Sequence, residues 1–380
     1  METALYSQGR DRLGGVRTSF MERVGIDAPI FGFSHCIEVT GAISNAGGVG
    51  VYGIAHEPPE RVKPTMDAIR ALAPDRPIAA DIMMPRNMPE TGTLEEVQAA
   101  LPAAHKQFVD GLFAKYAAPP PTQKTFYNSI LRTPAYFEGQ LQALLDSDVD
   151  IVAFGIGLTE DAVKRLQARD KLVGALVGSP RHFESYRDIG LDFVVAQGTE
   201  AGAHTGAIGT MVIVPEIVQM AGDIPVLAAG GIGHGSQIAA ALALGAEGVW
   251  LGTAWLATAE HATGDHATSD LLREKLIAAG SADTALTRGS SGKPQRQIRS
   301  AWTDEWNAPD APKPLGMPYQ HALVGDLITA IIEHDVDPLL HSPAGQSIAW
   351  TRSMQTVEEV MRQLCGDMEA SLERTRRLAT

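Results

Sequence analysis

The chain has 380 residues, enough for one large α/β domain with an appendage or for two ordinary domains, and neither needs a disulfide or a metal to hold it. Its 44% hydrophobic and 20% charged residues exclude extended disorder, and its formal charge of −14, with no run of lysine or arginine, excludes the basic footprint of a nucleic-acid binder. Cys36 and Cys365 are too far apart in sequence to mark a disulfide framework or a CxxC metal site, and no apolar stretch reaches the roughly 18 to 20 residues that span a bilayer.

The opening residues, METALYSQGRDRLGG, lack the apolar core of a secretory signal, so a soluble, cytoplasmic protein without membrane contact is expected. Short apolar runs then recur at APIFGF (28–33), VGVYGI (49–54), PIAADIMM (77–84), DIVAFGI (150–156), KLVGALVG (171–178), LDFVVAQG (191–198), IPVLAAGG (224–231) and EGVWLG (247–252). Each has about the length of a strand buried on both faces, and several end at Gly, Pro or a polar residue, which suits parallel strands better than hairpins.

Helical patterns lie between the runs. Thr133 and Pro134 open one, with Phe137, Leu141, Leu144 and Leu145 on a shared face. In SQIAAALALG (236–245), Ile238, Ala241 and Leu242 share a face, Ser236 is the expected N-cap, and Gly245 stands just past the end. Eight such units predict an α/β protein with a (β/α)8 TIM barrel, whose active site lies at the C-terminal ends of the strands; a doubly wound sheet is the alternative. The barrel is expected over 1–84 and 134–255, with an insertion at 85–133 between strands three and four. Residues 256–380 are expected to form a mainly helical extension over the barrel mouth.

The seventh run closes with Gly230 and Gly231, the eighth with Gly252 and Thr253. Paired glycines there let backbone N–H groups approach phosphate oxygens, as barrels commonly arrange after their last two strands; a plain chain turn is the alternative. Such a phosphate belongs to a phosphorylated substrate or to a cofactor. If the cofactor is FMN, its ring lies across the mouth toward the ends of the first, third and sixth strands.

At the sixth strand end stands VVAQGTEAGAHTG (194–206). With IPVLAAGGI (224–232), GVWLGTAWLAT (248–258), PIFGFSHCIEVTGAISNAGGVGVYG (29–53) and DTALTRGSSGKPQR (283–296), it resembles the nitronate monooxygenase family, formerly 2-nitropropane dioxygenases, which are FMN-dependent barrels. The resemblance implies that Gly230, Gly231, Gly252 and Thr253 hold the FMN phosphate and that Gln197 and Gly202 lie beside the flavin. It makes His204 the catalytic residue and puts Asp81 where relatives commonly have an asparagine near the ring. Phe31 and Gly32 are expected at the flavin too, although FGFS (31–34) departs from the usual QAPM. Ala203 replaces a common glycine.

The activity implied is oxidation of alkyl nitronates by oxygen. The alternative on the same motifs is an NAD(P)H-dependent reductase of quinones or of enoyl or CoA thioesters, and a barrel that binds a phosphorylated ligand without redox chemistry is a third. The partners expected are a small-molecule substrate and oxygen, with a homodimer left open. His204 suits proton transfer or anion orientation because imidazole titrates at about 6.5. A histidine that merely satisfies loop backbone is the plain alternative. Glu200 reads equally as a loop brace or a catalytic carboxylate, and His35 and Cys36 as flavin neighbours or as a buried pair capping the next helix. His234 is read as structural or near the phosphate. His261 and His266 lack metal spacing and read as a solvated loop.

Overall fold

The computed structural model describes residues 15–86, 88–264 and 267–378. Its strands in chain order are β1 (Ile30–Ser34), β2 (Val49–Gly53), β3 (Ile78–Met83), β4 (Ile151–Ile156), β5 (Leu172–Val177), β6 (Phe193–Gln197), β7 (Ala203–His204), β8 (Val226–Ala229), β9 (Gly248–Leu251), β10 (Thr284–Thr287) and β11 (Gln295–Ile298). All but β7, β10 and β11 close into one parallel barrel, β9 returning to β1 through Phe31 and Trp250. The eight expected runs are the eight barrel strands.

They are apolar on both faces because each face meets a different apolar layer. Phe31, Val49, Val51, Ala79, Phe193, Val195 and Leu227 fill the interior, whereas Ile30, Ala80, Val194 and Ala228 face the surrounding helices. A short helix, Ser19–Val24, contributes Phe20 to this interior. Thr18 accepts a hydrogen bond from the Met21 N–H, Gly25 ends the helix, and the Phe20 ring lies 5.3 Å from Phe193 and 5.8 Å from Phe31.

Thr133 caps the helix Pro134–Leu145, as its sequence implies. The helix Gly235–Ala243 starts differently from expectation: its cap is His234, whose Nδ1 accepts the Ser236 N–H at 3.1 Å, while Gln237 reaches back to the His234 N–H. An imidazole nitrogen does here what the Ser236 hydroxyl is expected to do, one turn position later. The last helix, Val357–Leu378, packs on that helix and on Ile37–Asn45, filling the gap beside β9 where an eighth barrel helix belongs. It comes so near that a Cβ on Gly235 would stand 2.1 Å from the Met368 nitrogen.

The insertion and the extension share a second core. Leu101, Val109 and Leu112 pack with Trp302, Trp306, Val324, Leu327 and Ile331. Although the extension is mainly helical, it carries the hairpin β10–β11, whose second strand pairs antiparallel with β7. β7 has only two residues, too few for periodicity to reveal.

Candidate active site

Alternation along each strand selects the side chains that reach the barrel mouth. Above the interior layer of Phe31, Ala79, Val195 and Trp250, the next inward positions are Phe33, Asp81, Gln197 and Gly252. Phe33 lies 6.3 Å from Trp250 and 5.1 Å from His35. Phe31 and Gly32 do not bring side-chain positions to the mouth. Phe31 is core, stacked with Phe20 and Trp250, and a Cβ on Gly32 would point the other way, 2.5 Å from Ile43 and 2.9 Å from Trp255. Phe33 is the aromatic residue of β1 that faces the site.

Asp81 is 8% exposed, and its carboxylate oxygens come within 2.8 and 3.0 Å of where a Cβ on Gly155 would stand. No side chain or backbone group among the described residues hydrogen-bonds it. Burial raises its pKa from 3.8 to about 8, so it is a neutral acid at pH 7 and can donate one hydrogen bond, as an asparagine amide does. A carboxyl with a raised folded pKa contributes its stability below about 3.8, and that contribution is lost as pH rises through about 8. Asp81→Asn is therefore expected to stabilise the flavin-free protein by a few kcal/mol near the upper value and hardly at all near the lower. Thermal unfolding of both proteins across that range checks this; an equal difference at both ends refutes it.

Beyond Gln197 the chain forms a braced loop. The Glu200 carboxylate accepts the Thr210 N–H at 3.0 Å and the Thr210 hydroxyl at 2.8 Å, at the start of the helix Thr210–Ala221. A carboxylate there satisfies an orphan donor and the positive end of the helix, which is the bracing role. Gly202 lies under the extension, where a Cβ would meet Ala344 and Gly345 backbone at 2.8 Å. Ala203 has φ of 59°, a left-handed conformation that favours glycine. It turns the chain so that His204 pairs with Gln295 of β11.

His204 Nε2 lies 2.7 Å from Ser291 Oγ, across 87 residues of sequence. Burial and the nearby Lys293 ammonium lower its pKa to about 4, so the ring is neutral at physiological pH. Lys293 is itself pushed down by burial. The extension thus supplies both an orienting hydroxyl and a cation to a histidine on the barrel.

At the other side of the mouth Gly230 and Gly231 have φ of 104° and 67° and turn the chain away from β8. The N–H groups of Gly231 and Thr253 make no hydrogen bond among the described residues, while the Thr253 hydroxyl accepts the Gly345 N–H at 2.9 Å. A Cβ on Gly252 would meet nothing nearer than Phe33 at 3.9 Å. Unused backbone donors beside open space after the last two barrel strands fit a phosphate group. His234 is outside this cradle, 3.2 Å from Asp367 and tilted against the Trp350 ring at 4.4 Å, and it caps the next helix.

His35 faces the mouth side, its Nδ1 2.7 Å from the Gly53 carbonyl and its ring stacked 4.1 Å from His56, which in turn lies 4.2 Å from Phe126. Cys36 is turned away: its thiol donates to Glu38 at 3.1 Å, and burial pushes its pKa up to about 12. His261 is 7% exposed in the helix Ala259–Thr263, not in a solvated loop, because Thr258 caps that turn and folds it inward. His266 lies outside the described residues. No metal-holding group of His, Cys, Asp or Glu occurs among the described residues.

Four further residues belong with this site: Arg132 and His321 stand outside every segment that carries the resemblance, and Ser291 and Lys293 lie in DTALTRGSSGKPQR without a role that the resemblance implies. His321, from the helix Tyr319–Glu333, has its pKa lowered to about 3 by burial and by Arg132 and His204. Each reaches the site from the insertion side or the extension, so only the tertiary fold brings them to His204.

Comparison with known proteins gives the family. A family model described as nitronate monooxygenase matches residues 19–367. A Mycobacterium tuberculosis protein bearing the name of a monooxygenase is 40% identical over 369 residues, 95% of this chain and 93% of that protein. The nitronate monooxygenase of Pseudomonas aeruginosa is 31% identical over 344 residues, 88% of this chain and 93% of its own. The solved nitroalkane oxidase of Streptomyces ansochromogenes superposes with a TM-score of 0.76 at 26% identity, covering 93% of this chain and 98% of that one. The chain belongs to the nitronate monooxygenase family and is an FMN-dependent oxidoreductase on a TIM barrel.

Proposed function

We propose that this enzyme oxidises alkyl nitronates with oxygen, with His204 as the catalytic residue and FMN held across the mouth. The observation that carries the reading is the charge of the site. Half-buried Lys293 and buried Arg132 bring positive charge, Asp81 is neutral, and Glu200 is engaged in capping a helix. Such a mouth favours an anion at the reacting centre, which a nitronate is and a quinone or an enoyl thioester is not.

The base strength of His204 supports the same substrate. A pKa of about 4 leaves His204 neutral and able to take the proton of a nitroalkane only slowly, whereas a neutral imidazole fixed by Ser291 orients an anion that arrives already formed without having to act as a base. Gly230, Gly231, Gly252 and Thr253 would hold the FMN phosphate through backbone N–H groups, with Gln197 and Asp81 facing the ring and Gly202 under the loop beside it. Bound FMN supplies the redox chemistry, accepting electrons from the substrate and passing them to oxygen. The protein's part is to exclude water under the lid, to orient the substrate at His204 and to present a neutral hydrogen-bond donor at Asp81.

Anaerobic mixing of the flavin-loaded protein with a preformed alkyl nitronate, and separately with NADH and NADPH, tests this. Bleaching of the yellow flavin by the nitronate alone is expected. Bleaching only by a nicotinamide makes the protein a reductase of quinones or acyl thioesters instead.

A further inference from the structure

Arg132 is 8% exposed, and no carboxylate pairs with it among the described residues. Its guanidinium lies over the Phe126 ring at 3.5 Å, donates to the Phe126 carbonyl and meets the Tyr136 phenol, whose O–H donates to the Glu57 carbonyl at 3.0 Å. Its Nε–H has no acceptor among the described residues. A buried cation with neither a counter-charge nor a full set of acceptors is costly, and nothing in the packing of the lid requires one at this position.

The guanidinium lines a cleft between the insertion and the extension, with Met83 at the end of β3, Leu131, Met317 and His321 among its walls. Apart from Tyr127 and His321 its other walls are apolar. His321 connects it to the catalytic side, since both Arg132 and His204 act electrostatically on its ring. A buried cation among the mainly apolar walls of this cleft describes half of a recognition site, and the missing half is an anion.

We propose that Arg132 anchors a substrate subsite between the insertion and β3, which takes a planar two-oxygen anion, a carboxylate or a nitronate, on an apolar body. The planar fork of the guanidinium matches two coplanar oxygens, and Met83, Leu131 and Met317 cover the apolar part. The proposal rests on the reading that this mouth binds the substrate, and it names the feature by which substrates are chosen.

Calorimetric titration with hexanoate, and with hexan-1-ol as its neutral counterpart, tests the subsite in the flavin-loaded wild type, Arg132→Met and Arg132→Lys. Hexanoate is expected to bind the wild type, to bind the Met variant about 30-fold more weakly, and to bind the Lys variant with intermediate affinity, because an ammonium keeps the charge without the fork. Equal hexanoate affinity in the wild type and the Met variant overturns the proposal. So does hexan-1-ol binding the wild type as tightly as hexanoate, a comparison that stands even if the Met variant does not fold. The KM for a preformed hexyl nitronate then separates the two anions. A rise in the Met variant parallel to the loss of hexanoate binding assigns Arg132 to the nitronate, whereas an unchanged KM assigns it to a separate carboxylate on the substrate. Arg132-dependent hexanoate binding by a protein that oxidises no nitronate would leave the subsite standing and refute the reaction.

Discussion

Asparagine at position 204 is expected to lower turnover of a neutral nitroalkane by about 10²-fold or more while leaving the flavin bound. The side chain of His204 is anchored at Ser291, not in the glycine cradle of β8 and β9, so its loss does not touch the groups offered to the phosphate. Asparagine can still hydrogen-bond the Ser291 hydroxyl, but it cannot take up a proton. The two substrates therefore respond unequally. A nitroalkane needs its α-proton removed and loses the base; a preformed nitronate loses only an orienting contact, a drop of about tenfold. With a pKa of about 4, the free enzyme's His204 is already a base at any higher pH. The kcat/KM for the nitroalkane is thus expected to show no inflection from this residue between about pH 5 and 8 and to fall only as the pH approaches the lower value. Unchanged rates with both substrates in His204→Asn would remove the histidine from the mechanism.

The histidine itself is legible in the sequence, and its environment is not. VVAQGTEAGAHTG announces a strand end followed by a glycine-rich loop, and the barrel follows from eight apolar runs, because a strand buried on both faces leaves a continuous signature. The hydroxyl and the ammonium that tune His204 come from residues 291 and 293, beyond β9, on a hairpin that has too few residues to show a period. Arg132 sits in NSILRTPAYF (128–137), where nothing distinguishes it from a surface arginine; only burial without a carboxylate partner does. Phe31 and Gly32 show a different limit. The resemblance implies the first strand at the flavin, and alternation along that strand brings the side chain of Phe33, not that of Phe31, to the mouth.

The eighth barrel helix shows how far such a signal can be displaced. After β9 the chain leaves the barrel for the lid, builds a second core with the insertion, and returns to close the gap with Val357–Leu378. The lid is in this way inserted within the last strand-helix unit. Its parts, the 85–133 insertion and the segment after β9, fold against each other in a core distinct from the barrel's, and the cleft at Arg132 is walled by both and by Met83 at the end of β3.

Valine substitutions at Gly230 and Gly252 are expected to weaken FMN binding by about 10²-fold or more, since on the proposed reading each places a branched side chain where backbone N–H groups would meet the phosphate, at a cost of two or more charge-assisted hydrogen bonds. The two variants differ in their effect on the fold. At Gly230 the φ of 104° is strained for valine, and its Cβ would stand 2.8 Å from the Gly198 carbonyl and 2.9 Å from the Thr210 hydroxyl, so Gly230→Val also disturbs the Glu200-braced loop. At Gly252 the φ of −119° suits any residue and the nearest atom is 3.9 Å away, so Gly252→Val fills space without moving protein atoms. Gly252→Val should keep the thermal stability of the flavin-free wild type and lose the yellow colour, whereas Gly230→Val should lose both. Flavin content after purification, set beside unfolding of the flavin-free proteins, reads the two effects apart. A Gly252→Val protein that remains fully loaded would mean that the phosphate is held elsewhere, and the cradle after β8 and β9 would be a chain turn and nothing more.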